Sequence, residues 1–152
     1  MEKLTRKEVI AILEEAKQQG KRADFSDMNL SGLDLSGLDF SFANCFRADL
    51  SYADLTIANF TDAGCRFANF TNAKLRCAKF IGTNLTGANF TDADFYRANC
   101  YRANCYRANL KRTDCFRAQF TCANLTRTDF TCADLRYADF TDANFYRRKR
   151  NR

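Results

Sequence analysis

Ala98-Asn99-Cys100-Tyr101-Arg102-Ala103-Asn104-Cys105-Tyr106-Arg107-Ala108-Asn109-Leu110 is one five-residue phrase given nearly three times. In both directions the phrase continues without a slip. A Leu, Phe or Cys stands at every fifth position from Phe25 to Phe145, which makes 25 consecutive repeats with no insertion. We call this residue the centre of its repeat. Two positions before it stands Ala in most repeats, but Met28, Leu33 and Leu38 early on and Thr83, Thr113 and Thr128 later. One position before it is usually Asp or Asn, and the two positions after it are mostly polar.

Neither common secondary structure fits a period of five. On an α-helix a five-residue step rotates the side chain by about 140°, so the centres would scatter round the axis. On a strand an odd step sends successive centres to opposite faces. A chain that turns a corner once per repeat keeps every centre inside. Asp or Asn before the centre suits such corners, because its side chain hydrogen-bonds nearby backbone. Short fixed periods are the mark of solenoids.

The pattern Ala-(Asp/Asn)-(Leu/Phe)-X-X resembles the pentapeptide-repeat proteins, and it covers residues 21–145, about four-fifths of the chain. The resemblance implies an all-β, right-handed, four-sided parallel β-helix with four repeats per coil. Residues twenty apart then stack in ladders. About six coils at the usual strand spacing of about 4.8 Å give a rod of about 30 Å. Gly64, Lys74, Lys79 and Gln119 depart from the Asp/Asn rule.

Residues 1–20 lack the repeat. Thr5-Arg6-Lys7-Glu8 reads as a capping box, and Leu4 and Val9 are spaced as a hydrophobic staple across it. Val9, Ile10, Ile12, Leu13 and Ala16 recur at helical spacing, and Gly20 is a stop. This helix is read as a lid over the open end of the first coil rather than a membrane-surface or partner helix, because solenoid ends need capping. The bulky Met28, Leu33 and Leu38 give the first coil a wider base to meet it. No stretch reads as a signal peptide or a membrane span.

Charge is uneven along the chain. Residues 1–89 carry eleven basic and eleven acidic residues, and residues 90–152 carry thirteen and seven, so the net +6 lies in the second part. In the geometry that the resemblance implies, the second residue after each centre points outward. Arg97, Arg102, Arg107, Arg112 and Arg117 hold successive such places, with Tyr96, Tyr101, Tyr106 and Phe116 beside them. Aromatic residues and Arg are favoured at interfaces and on nucleic acid, so this belt is the candidate partner site. The plainer reading is a solvated belt that keeps a repeat surface soluble. The third segment, 146–152, is a basic tail whose Arg147, Arg148, Lys149, Arg150 and Arg152 are a candidate polyanion site or simply a frayed end. Phe130, Leu135, Phe140 and Phe145 leave an apolar end, so the expected state is a monomer or a homodimer joined there.

Cys45, Cys65, Cys100, Cys105 and Cys115 occupy centres and read as small buried hydrophobes. Cys45 and Cys65 stack as neighbours if residues twenty apart do, at a separation that permits a disulfide under oxidising conditions. Cys77, Cys122 and Cys132 fall at outward places, which points to a reducing cytoplasm. With no histidine and no Cys-X-X-Cys, no metal site or cofactor is expected. A filled interior and the absence of inserted loops argue against an enzyme.

The favoured function is a non-enzymatic scaffold that binds a macromolecular partner, most simply a protein, through its flat faces. Two alternatives stand beside it. Some pentapeptide-repeat proteins resemble a DNA duplex and protect DNA gyrase from quinolones. That mimicry needs a negative surface and a C-terminal dimer, whereas the later repeats here are positive. The other alternative is nucleic-acid binding through the Tyr/Arg belt and tail, which salt would weaken steeply.

Overall fold

The structure, a computed structural model, describes residues 3–145. From Asp24 to Asn144 the residue before each centre pairs in parallel with the residue twenty positions on, as in Asp24 with Asn44 and Asn44 with Gly64. A twenty-residue step made of five-residue repeats gives a four-sided coil. Each side contributes an inward small residue, an outward bridging residue and an inward centre. The two residues that follow form the corner.

The repeat places all five of its backbone N–H groups. The centre donates along the rod, as Phe25 does to the Asn44 carbonyl at 2.7 Å, and the second corner residue does likewise, Asp27 to Phe46 at 2.8 Å. The bridging residue donates in the other direction, Asn44 to Ala23 at 2.9 Å. The next small residue closes the turn, Met28 to Phe25 at 3.1 Å. The first corner residue is left, and its N–H goes to the side-chain oxygen of the Asp or Asn two places back, Ser26 to Asp24 Oδ1 at 2.9 Å. The sequence rule at that position is therefore an acceptor requirement. Gly64, Lys74 and Lys79 lack such an oxygen and that of Gln119 is one carbon further out, and among the described residues no bond of this type forms at Arg66, Arg76, Ile81 or Thr121.

The second corner residue has positive φ in every repeat from Asp27 to Asp142, and at 20 of these positions it is not glycine. The left-handed conformation turns its N–H along the rod axis, and the ladder bond offsets the steric cost of about 1–2 kcal/mol. Gly87 is held to glycine by a neighbour as well, since a Cβ there would lie 2.5 Å from the Phe67 ring.

Centres Phe25 through Leu125 are buried and form one continuous column with the alanines. Phe40, Phe60 and Phe80 stack at 4.9 and 5.1 Å between ring centroids. The next position on that side is Cys100. Phe95, from the adjacent side, takes up the space and stacks on Phe80 at 5.5 Å and on Phe120 at 6.2 Å. Thr83, Thr113 and Thr128 fit alanine places because each hydroxyl donates to the carbonyl of a centre one coil earlier: Phe60 at 2.6 Å, Phe90 at 2.9 Å and Cys105 at 2.7 Å.

Helix α1, Arg6–Gln18, closes the first coil with its N-terminal capping box as expected from Thr5 and Glu8. Its other end is a Schellman arrangement, with Lys21 N–H on the Ala16 carbonyl and Gly20 N–H, at φ +63°, on that of Lys17. Val9 is fully buried, and Leu4, Ile12, Leu13 and Ala16 pack with Met28, Leu33 and Leu38 against the column. Lys3 adds a parallel bridge to Asn29. At the opposite end Phe130, Leu135 and Phe140 are half-buried and Phe145 is exposed.

The Phe95–Cys100 compensation gives a direct test of this packing. Cys100→Phe alone should destabilise the fold by about 1–3 kcal/mol through overpacking. Adding Phe95→Leu should restore most of that, because the ring then completes the regular column. Urea unfolding of the two single variants and the double variant measures the coupling, and additive effects would contradict the shared space.

Candidate interaction surface

The twenty-residue step assigns every outward residue to one of four faces and one of four corners. Face one carries the centres Phe25 to Phe145 at twenty-residue intervals, and faces two, three and four begin at Leu30, Leu35 and Phe40. The belt arginines fall on successive corners: Arg97 after face three, Arg102 after face four, Arg107 after face one and Arg112 after face two. Arg117 returns to the corner of Arg97. All five are exposed.

Their surroundings differ. Arg112 forms a two-pronged ion pair with Asp92, one coil below it, at 2.7 Å through both Nε and Nη2. Its charge is thereby matched. Arg102 lies over Tyr101 at 5.8 Å from the ring centroid and Arg107 over Tyr106 at 5.3 Å. Among the described residues neither arginine has an ion pair.

The corner after face three is a continuous ladder. Tyr96 and Phe116 stack in parallel at 5.8 Å, and Tyr137 meets Phe116 edge-on at 5.2 Å. Arg76 lies 4.3 Å over Tyr96 and bonds Asp94 at 3.1 Å. Arg117 and Arg136 lie over Phe116 at 5.6 and 5.5 Å. Arg136 also grips Asp134, with its Nη2 on Oδ2 at 2.6 Å. Guanidinium groups therefore lie against Tyr96 and Phe116 while Tyr137 stays 77% exposed, and carboxylates neutralise Arg76 and Arg136. Sequence reading named Tyr96, Arg97, Phe116 and Arg117 here but missed Arg76, Arg136 and Tyr137. The twenty-residue spacing from Tyr96 and Arg97 was the signal that marked them. The tail residues Arg147, Arg148, Lys149, Arg150 and Arg152 lie outside the described residues.

Five thiols are buried and three exposed, in the places expected. Burial, and then the adjoining Cys45 thiol, pushes Cys65 well above the ordinary thiol range. Burial does the same to Cys100, with the Cys105 thiol against it. These two are neighbours across a corner, five residues apart, a contact that the ladder rule alone does not give. Among the described residues no group of three or more His, Cys, Asp or Glu is arranged to hold a metal ion, and no helix is long and apolar enough to cross a membrane.

The interior column is filled from Phe25 to Leu125, but the expectation of no large pocket does not hold for the whole surface. A cleft of about 420 Å³ does lie outside the column, at the seam between α1 and the first coil. Ile10, Leu13, Leu38 and Phe42 floor it, and Glu14, Lys17, Lys21 and Asp39 rim it. It forms because a straight helix cannot cover all of a square coil end.

The family described as Pentapeptide repeats matches residues 21–56, 39–76, 73–112 and 108–145. The chain belongs to the pentapeptide-repeat family, whose members form right-handed quadrilateral β-helices. Among solved structures it is similar to a trypsin-treated form of QnrB1, a plasmid-mediated fluoroquinolone resistance protein. The two share 21% identity at a TM-score of 0.71, over 83% of this chain and 70% of that one. It is also similar to the pentapeptide repeat protein Rfr23 from the cyanobacterium Cyanothece 51142, with 20% identity and a TM-score of 0.60 over 91% and 99% of the two chains. At these identities the likeness is one of fold. No curated protein sequence matches the chain.

Two measurements check this surface. A thiol reagent should label three cysteines in the native protein, Cys77, Cys122 and Cys132, and all eight after denaturation. Fast native labelling of more than three would contradict the buried column.

The second is pH dependence. Hydrogen bonds from Arg136 hold Asp134 down to about 2, and hydroxyl bonds from Ser36, Thr131 and Thr141, then the N–H of the same residues, lower Asp34, Asp129 and Asp139. Folded-state values below the unfolded ones stabilise the fold above an unfolded pKa of about 3.9, and that stability is lost as pH falls through the folded values. With no histidine, the urea midpoint should change little from about pH 7 to 5 and fall steeply below about 4. A fall already complete above pH 5 would contradict the assignment.

Proposed function

We propose that the chain is a non-enzymatic scaffold that binds a protein partner through its corners and flat faces. The observation that carries this reading is the pairing of exposed, uncompensated arginines with tyrosines, Arg102 with Tyr101 and Arg107 with Tyr106, on a rod whose interior is filled. Arg and Tyr at a rigid surface are the residue types that carry interface energy. A fixed backbone lowers the ordering cost of binding. The three exposed thiols support a reducing cytoplasm as its place of action. The rod acts as a monomer or as a pair joined at the Phe145 end, and sedimentation distinguishes the two.

Neither alternative reading gains comparable support. A DNA-like rod presents carboxylates along its length on more than one side, whereas here face three carries Asp34, Asp54, Asp94, Asp114 and Asp134 and face one between Asn44 and Asn144 has none at its bridging positions. Base stacking needs open aromatic faces, and guanidiniums at 4.3–5.8 Å compete for one face of Tyr96, Tyr101, Tyr106 and Phe116.

Affinity capture from the native cell tests the scaffold reading. Wild-type protein should retain a defined set of proteins that the variant Arg97→Asn, Arg102→Asn, Arg107→Asn, Arg112→Asn retains at least about tenfold less. The same proteins recovered equally with both would overturn the belt as the partner site.

A further inference from the structure

Faces one and three differ in a way that the belt description does not capture. At matching heights face three carries Asp94, Asp114 and Asp134, and face one, on the opposite side, carries Asn84, Asn104 and Asn124. The Oδ1 atoms of these asparagines are already engaged, accepting the N–H of Thr86, Tyr106 and Thr126 at 3.2, 3.2 and 3.1 Å. Asn104 Oδ1 also accepts from Asn124 Nδ2 at 3.1 Å. The oxygen of each amide is engaged at the corner, and Asn124 spends one of its two N–H donors on Asn104. The remaining amide donors face outward.

The edges of that face reinforce the bias. Arg102 stands on one edge, and Arg107 and Arg127 stand one above the other on the opposite edge. Among the described residues none of the three has an ion pair. On the diagonal corner Arg76 is paired with Asp94 and Arg136 with Asp134, while Arg97 and Arg117 have no ion pair among the described residues. Between residues 90 and 145 basic and acidic residues are eight against seven, and face one, like face four with Lys79, Asn99 and Gln119, places no carboxylate at the bridging positions between its arginines.

We infer that the upper part of face one, with Asn84, Asn104 and Asn124 as floor and Arg102, Arg107 and Arg127 as rims, is the docking surface for an acidic protein segment. This rests on the scaffold reading and adds to it the face and the chemistry of the partner. Guanidinium groups bind carboxylates in two-pronged fashion, and side-chain amides donate to carboxylate and backbone carbonyl oxygens alike. A surface rich in arginines and amide donors disfavours a basic partner, so it selects by sign as well as by fit. A duplex meets the charge but not the shape, since a straight rod touches it along a short line.

The test uses the full chain and a fluorescent oligo-glutamate peptide of about twelve residues as probe, followed by anisotropy at about 50 and 200 mM salt. One variant carries Arg102→Asn, Arg107→Asn and Arg127→Asn, asparagine being chosen because these sites have left-handed backbone. The control carries Arg97→Asn, Arg117→Asn and Arg136→Gln, which removes the same number of charges from the diagonal corner. Thermal unfolding of both confirms that each is folded. The expected result is peptide affinity lowered about tenfold or more in the face-one variant and less than about threefold in the control. Equal loss in both, or no peptide binding by the wild type, overturns the face-one site and leaves the scaffold reading to stand on another face. A single-stranded oligonucleotide of equal charge that binds more tightly than the peptide, and is lost with the face-one arginines, overturns the scaffold reading itself.

Discussion

The structure depends on one hydrogen bond repeated along the chain: the side-chain oxygen of Asp or Asn accepting the N–H two residues on. It occurs at 20 of the repeats, from Asp24 with Ser26 to Asp139 with Thr141. Four of the five N–H groups in a repeat find backbone carbonyls. The fifth points away from both neighbouring coils, and only a short polar side chain can reach it. Without that acceptor, each corner would leave a donor to water and the left-handed residue beside it would be less well held. The acceptor fixes the corner, the corner fixes the direction of the next side, and four such turns bring the chain back over itself. The stacked column of Phe, Leu and Cys centres is the consequence, because every side is then obliged to point one large residue at the axis.

The same bond shapes the surface. It consumes the oxygen of each asparagine, so an Asn-lined face presents amide donors. Where aspartate stands instead, one carboxylate oxygen serves the corner and the other remains for a cation, as Asp134 does for Arg136 and Asp94 for Arg76. Asp and Asn both supply the corner acceptor, and the choice between them sets the charge of a face. Faces one and three have the same backbone and the same corner bonds, and they differ in sign because that one position differs.

Much of this was legible in the sequence. The five-residue step alone excluded helix and flat strand, the Leu, Phe and Cys centres named the core, and Thr5 with Glu8 marked the start of the lid. Met28, Leu33 and Leu38 marked the side chains that pack with the lid against the column. Other features were hidden because they arise between coils. Nothing local reveals that Arg47, Tyr52 or Ile57 sits at positive φ, since only Gly32, Gly37, Gly82 and Gly87 occupy that place in its usual form. Cys100 next to Cys105, and Phe95 leaning into the adjoining column, are compensations among side chains that share a cross-section. The belt was read as one ring because its arginines are consecutive in sequence. Stacking divides it among four corners with different neighbours, tying Arg112 to Asp92 and leaving Arg102 and Arg107 uncompensated.

Residue-resolved amide hydrogen exchange tests the central claim most directly. In the middle coils the centre and second corner amides should be protected to the level of global unfolding, in a strict five-residue rhythm. First corner amides should be slowed where Asp or Asn precedes them by two, and fast at Arg66, Arg76, Ile81 and Thr121, where it does not. Protection without that period, or equal protection at those four corners, would contradict the account.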